Sequence, residues 1–152
     1  HIRLGDPAFG VAPGDGTLWV TLRGLTDAGM DRLCQEAEAT VESLAKAHDL
    51  KVRLAYHDHF RACANDPQAT AVLDRAIARL GLTKEDGHLP MRASEDFGRF
   101  ADLSKSAMFL LGSGTETPAL HNPDYDFPDT LIPVGTSVFM AAIDDLLGLP
   151  TR

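Results

Sequence analysis

The interpretation of this chain depends on residues 118–129, which read Pro-Ala-Leu-His-Asn-Pro-Asp-Tyr-Asp-Phe-Pro-Asp. They join a continuously apolar stretch, 107–111, to an amphipathic helix that we predict to begin with Asp129 as its N-cap. His121 lies in this connection, where an α/β metal enzyme presents a ligand. Judged locally, a histidine followed by Asn-Pro is more often a turn residue than a ligand. A catalytic zinc normally takes three protein ligands, so His121 would need partners from elsewhere.

The composition is that of a chain that can bury a core but offers no basic surface. Of its 152 residues, 44% are hydrophobic and 24% are charged, which suits one domain or two small ones. The formal net charge is −8, whereas proteins that bind nucleic acid neutralise phosphates with clustered Lys and Arg. The longest apolar runs are too short to span a membrane. We therefore expect neither a nucleic-acid partner nor a membrane partner.

The cysteines indicate the cellular setting. Cys34 and Cys63 are too few for a disulfide framework and are not spaced as a cysteine-based zinc motif. We therefore predict reduced thiols and a cytoplasmic protein.

The first part of the chain predicts an antiparallel sheet with a helix on one face. Three stretches alternate apolar and polar residues, as half-buried strands do: 1–4, 18–23 and 51–60. A helix begins at the capping pair Thr26-Asp27 and follows the 3.6-residue apolar period to about His48. The chain opens with His1, already inside a predicted strand, so we expect a fragment of a larger protein.

The pattern changes near residue 63, where we place a boundary between domains 1–62 and 63–152. The elements predicted after it are a helix from Asn65-Asp66-Pro67 to Gly81, a short helix within 95–105, a strand at 107–111 that is covered on both faces, and a helix from Asp129 to Gly148. The last helix is expected to pack six apolar residues into the core: Leu131, Ile132, Val138, Phe139, Ile143 and Leu146.

Three further motifs could carry chemistry, and each has a structural alternative. His57-Asp58-His59 places two imidazoles on one strand face, as some zinc sites do, but on the polar face, where a solvated surface is the commoner outcome. Ser94-Glu95-Asp96-Phe97 places adjacent carboxylates where ordinary helix capping would also use them. Gly112-Ser113-Gly114 lacks the lysine and the longer glycine spacing of phosphate-binding loops, which favours a strand-ending turn.

Taken in order, several segments resemble the zinc-dependent amidohydrolases that include hippurate hydrolase, aminoacylase and the auxin-conjugate hydrolases, relatives of the carboxypeptidase G class. The segments that carry the resemblance are 5–13, 21–23, Phe60, 65–67, 94–98, 111–114 and 120–129. The most specific of them are the Ser-Glu-Asp-Phe loop and the segment that contains His121.

The resemblance implies α/β and α+β parts. That family has an α/β catalytic domain with a two-metal site and an inserted α+β lid domain that also mediates dimerisation. Residues 1–62 correspond to the second half of the lid, an antiparallel sheet plus helix. Residues 63–152 correspond to the C-terminal part of the zinc-peptidase catalytic domain. The other metal ligands and the catalytic glutamate would lie in a missing N-terminal half, so no catalytic residue is assigned here and the chain alone is expected to be inactive.

The resemblance also implies a reaction and a set of binding residues. The reaction is metal-dependent hydrolysis of the amide bond of N-acyl amino acids or small peptides, with two divalent ions, zinc or else manganese or cobalt. His121 corresponds to the last metal-binding histidine, and Ser94 and Glu95 would line the substrate pocket. Arg23 stands where the wider family has an arginine for the substrate carboxylate, although a solvent-exposed arginine is the alternative. Gly10 occupies the place where many members have asparagine.

A second hypothesis is a non-catalytic association module. In this case the lid strands and the helix at 27–48 would form a homodimer interface. The same lid surface is expected to give a homodimer of the enzyme.

Overall fold

The computed structural model describes residues 1–87 and 89–149, which fall into two compact units, His1–Ala62 and Cys63–Arg152. Its elements in chain order are the strands β1 (Ile2–Leu4) and β2 (Gly16–Leu18), the helices α1 (Asp27–Ala47) and α2 (Pro67–Arg79), a 3₁₀ helix (Asp96–Asp102), and the helix α3 (Leu131–Leu147). The described residues therefore combine a small antiparallel sheet with helices. No helix in the described part of the chain has the length and apolar character needed to cross a membrane.

The sheet is a short hairpin at the start of the first unit. β1 and β2 are antiparallel, with Ile2 opposite Leu18 and Leu4 opposite Gly16. A Cβ atom at Gly16 would lie only 2.7 Å from Leu4 Cδ2, so a larger residue here would require the Leu4 side chain to move. The strand predicted at 18–23 is correct only at its first residue. Beyond Leu18, the backbone N–H of Trp19 donates to the His1 carbonyl at 2.8 Å, and Val20 is exposed rather than half-buried.

Helix α1 confirms the predicted helix and both of its ends. Thr26 is the N-cap, and its Oγ1 accepts a hydrogen bond from Gly29 N at 3.1 Å. Asp27 adds a negative charge to the first turn, where the helix dipole favours one. His48 is the C-cap, and Ala45 is the buried residue of the inner face. Leu44, which the apolar period placed inward, is exposed.

A return segment, residues 50–62, follows α1 without forming the strand predicted at 51–60. Three hydrogen bonds tie it to the helix: Leu50 N to Ala45 O at 2.8 Å, Tyr56 Oη to Glu38 Oε1 at 2.7 Å, and Ala62 N to Asp27 Oδ1 at 2.7 Å. A fully extended chain from 50 to 62 would reach about 40 Å, whereas the helix rises about 27 Å from Asp27 to Ala45. A left-handed kink at Asp58, with φ of 53°, shortens the segment. Among the described residues, the sheet contains β1 and β2 and does not include this segment.

Helix α2 begins and ends where the sequence predicts. Asp66 is its N-cap and accepts from Gln68 N at 2.8 Å and Ala69 N at 3.0 Å, and Pro67 fills the first turn, where a missing N–H costs nothing. Gly81 follows the helix with a φ of +67°, a conformation that favours glycine.

The core of the second unit lies between α2 and α3. Its buried residues are small: Ala76, Ala141 and Ala142, with Val72 and Leu73 packed against them. Two charged contacts flank this core. Arg75 Nη2 lies 2.7 Å from Asp145 Oδ2, and Arg79 Nη2 donates to Ala141 O at 2.5 Å.

Helix α3 corrects two predictions. Its N-cap is Thr130 rather than Asp129, and the Thr130 side chain makes no capping hydrogen bond. Of the six apolar residues expected in the core, Val138 is buried at 1% exposure, while Ile132, Phe139, Ile143 and Leu146 are exposed, the last at 70%. The reason is that α2 packs against the side of α3 that carries Ala141 and Ala142, whereas the large apolar residues lie on another side of the helix.

The stretch 107–111 is extended but is not the doubly covered strand that was predicted. Leu110 is 66% exposed, and within the described residues no ladder includes this stretch. The Asn65 side chain takes the place of a neighbouring strand at Met108, and the ring of Phe109 lies 5.6 Å from that of Phe139. The short helix predicted within 95–105 is confirmed as the 3₁₀ helix.

Candidate functional site

His121 occupies a tight turn in the second unit. Its φ of +73° lies in the left-handed region, which a residue with a Cβ atom adopts only at a cost. Backbone hydrogen bonds lie on both sides of it, from Asn122 N to Ala119 O and from Tyr125 N to Asn122 O, both at 3.0 Å. Strain of this kind collects at functional sites, where the surrounding structure holds it in place. His121 is therefore a turn residue, as its local sequence predicts, and this conformation is also compatible with a role as a metal ligand.

The imidazole of His121 is exposed to solvent. Within residues 1–87 and 89–149, no group of three His, Cys, Asp or Glu side chains stands close enough together to hold a metal ion. A catalytic zinc needs about three protein ligands, and the described residues do not bring that many together. These residues do not form a metal site by themselves, although an exposed imidazole can contribute one donor to a site completed by other groups.

Ser94 and Glu95 lie in the loop before the 3₁₀ helix. Glu95 occupies the N-cap position with extended backbone, φ −135° and ψ 140°, but its side chain makes no capping hydrogen bond. The two carboxylates therefore lie at a helix start, as the capping interpretation expected, with Asp96 in the first turn, although the Glu95 side chain forms no capping bond. Ser94 and Glu95 are both exposed to solvent.

Cys63 is a neighbour of Glu95 that the sequence did not associate with the loop. Partial burial raises the pKa of the Cys63 thiol, and the negative charge of Glu95 raises it further. The thiol is therefore held in its protonated, less nucleophilic form at neutral pH. A cysteine far from Glu95 in sequence gives no signal of this proximity.

An open depression of about 480 Å³ lies beside the start of α2. It is lined by Ala64, Asn65, Asp66, Ala101, Leu103, Ser104, Lys105 and Ser106. Its polar groups are already engaged: Asp66 caps α2, and Lys105 Nζ donates to Gln68 Oε1 at 2.5 Å. The depression contains neither His121 nor Glu95, so it is not the pocket that the resemblance implies.

In the first unit, Arg23 lies beyond the end of β2, on an exposed stretch of chain. Because Arg23 lies outside the strand, its place on a strand face cannot be used to choose between a solvent-exposed arginine and one that binds a carboxylate.

The two histidines at 57 and 59 do not share a strand face. The left-handed conformation of Asp58 breaks the alternation, so this prediction is wrong. His59 instead lines a depression of about 390 Å³ along α1, with Asp31, Cys34, Gln35, Glu38 and Tyr56. The hydrogen bond to Glu38 is the main cause that raises the pKa of Tyr56 to about 12, followed by burial and by the charge of Glu38. The sequence signal for the contact between Tyr56 and Glu38 is that Glu38 places a carboxylate among the apolar positions of α1.

Comparisons with known proteins add evidence from the whole chain. The family profile described as "Peptidase family M20/M25/M40" matches residues 3–145. A protein named hippurate hydrolase from Campylobacter jejuni subsp. jejuni is 25% identical over 134 residues, which cover 87% of this chain and 35% of that protein. The chain thus spans about a third of the length of this curated relative. No solved structure matches the chain.

Proposed function

Because the chain belongs to peptidase family M20/M25/M40, we propose that it forms the C-terminal portion of a metal-dependent hydrolase that cleaves the amide bond of N-acyl amino acids or small peptides. The similar protein from Campylobacter jejuni carries the name of an enzyme that hydrolyses hippurate, an N-acyl amino acid. Residues 1–62 would belong to the lid domain and residues 63–152 to the catalytic domain. This division follows the two compact units.

The observation that carries the proposal is the strained, exposed turn at His121. In the proposed enzyme its imidazole donates one nitrogen to a site of two divalent ions, zinc or else manganese or cobalt. When bound, such ions supply an activated water and polarise the scissile carbonyl. Because the described residues form no group of three metal-binding side chains, the remaining ligands and the catalytic glutamate would come from the rest of the hydrolase.

Two exposed apolar surfaces of the second unit support the proposal that further polypeptide packs against it. The stretch 107–111 is apolar and extended, and within the described residues its backbone pairs with no strand. The outer face of α3 exposes four large apolar residues: Ile132, Phe139, Ile143 and Leu146. An exposed apolar surface of this kind marks an interaction site, and here we assign it to the remainder of the hydrolase. We therefore propose that the chain alone is inactive.

Three residues of this chain are proposed to bind the substrate. Arg23 is proposed to bind the substrate carboxylate, because a planar guanidinium matches a carboxylate with two hydrogen bonds. Ser94 and Glu95 are proposed to line the pocket. Glu95 would repel a nearby substrate carboxylate, so we propose that it faces the acyl part of the substrate.

Hydrolysis of hippurate tests this proposal. The assay compares this chain alone with the complete hydrolase that contains it, each supplied with zinc, manganese or cobalt. We expect turnover by the complete protein alone. Replacement of Arg23 by Lys should raise KM for hippurate by tenfold or more, with a smaller effect on kcat, since a lysine loses the paired hydrogen bonds. Hydrolysis by the isolated chain, or an unchanged KM in R23K, would contradict it.

The exposed return segment favours a second candidate, a homodimeric association module. Val52, Leu54 and Tyr56 are exposed on a segment that has no strand partner within the described residues, and such an edge can pair with another chain. Sedimentation of this chain alone separates the candidates. A stable homodimer without metal would favour the module. A monomer that binds metal only after the rest of the hydrolase is added would favour the enzyme.

A further inference from the structure

We draw no further inference here: the strongest candidate, the apolar outer face of α3 formed by Ile132, Phe139, Ile143 and Leu146, belongs to the surface already assigned to the rest of the proposed hydrolase, and nothing among the described residues shows what else would cover it.

Discussion

The side-chain amide of Asn65 hydrogen-bonds both backbone groups of Met108. Nδ2 donates to the Met108 carbonyl at 2.8 Å, and Oδ1 accepts from the Met108 N–H at 2.9 Å. The pair resembles one rung of a β-ladder, made by a side chain instead of a second strand. It ties the apolar stretch 107–111 to the start of α2.

Replacement of Asn65 by Ala should release this stretch. Both hydrogen bonds are lost, each of which contributes on the order of 1 kcal/mol at most because the pair is exposed. Hydrogen exchange of the Met108 amide should become about tenfold faster. The Ala69 amide, which donates to Asp66, serves as the internal control and should change little. Equal exchange of Met108 in the wild type and in N65A would refute the proposed anchor.

Tyr56 should titrate well above an ordinary tyrosine. Its hydrogen bond to Glu38, then burial, raise its pKa from 10.0 to about 12, and Glu38→Gln should lower that value because the charged acceptor is removed. Since the folded value is the higher one, this contribution to stability is present below pH 10 and is lost as the pH rises toward about 12. Ultraviolet absorbance of a Tyr125→Phe background isolates the Tyr56 signal. Superimposable titration curves with and without E38Q would show that the contact does not form.

The ion pair between Arg75 and Asp145 should make the contact of α2 with α3 sensitive to acid. The hydrogen bond from Arg75 is the main cause that lowers the pKa of Asp145 below 3.8. Because the folded value is the lower one, the stabilisation is present above pH 3.8 and is lost as the pH falls through the folded value. Asp145→Asn should therefore be less stable than the wild type at pH 7, and the difference should shrink as the pH falls below 3.8. Asp124→Asn, at a carboxylate in the loop outside this contact, is the control, and an equal effect of both variants would contradict the assignment.

The left-handed turn at His121 gives a stability test that does not depend on metal. At a φ of +73°, Gly should be more stable than Ala by about 1 kcal/mol, because the Cβ atom of Ala clashes in this conformation. The comparison of H121G with H121A by urea unfolding measures this difference. If H121A proves the more stable variant, the turn does not have the conformation described here.

The features that the sequence predicted correctly are those that depend on neighbouring residues. The caps at Thr26 and Asp66 follow from side chains that reach backbone groups two or three residues away, and the glycine at position 148 ends α3 in a left-handed conformation. Thr130, which caps α3 without a side-chain bond, gave no such signal, so the prediction fell on Asp129 instead.

The predicted strands failed because a strand requires a partner that its own alternation does not specify. The stretches 51–60 and 107–111 lie outside the sheet that the described residues form, and in the second stretch the Asn65 side chain bonds the backbone of Met108 instead. The left-handed conformation of Asp58, which separates His57 from His59, gives no signal in the alternating pattern. Likewise, the sequence could identify His121 as a candidate ligand but could not supply its partners.

The metal content of the complete hydrolase that contains this chain tests the central claim most directly. Equilibrium dialysis followed by elemental analysis would compare the wild type with His121→Ala, and with His57→Ala as a control at another exposed histidine. We expect two divalent ions per wild-type chain, about one fewer in H121A because one imidazole donor is lost, and no change in H57A. Full metal content in H121A would show that this histidine is not a ligand and would contradict the proposed function.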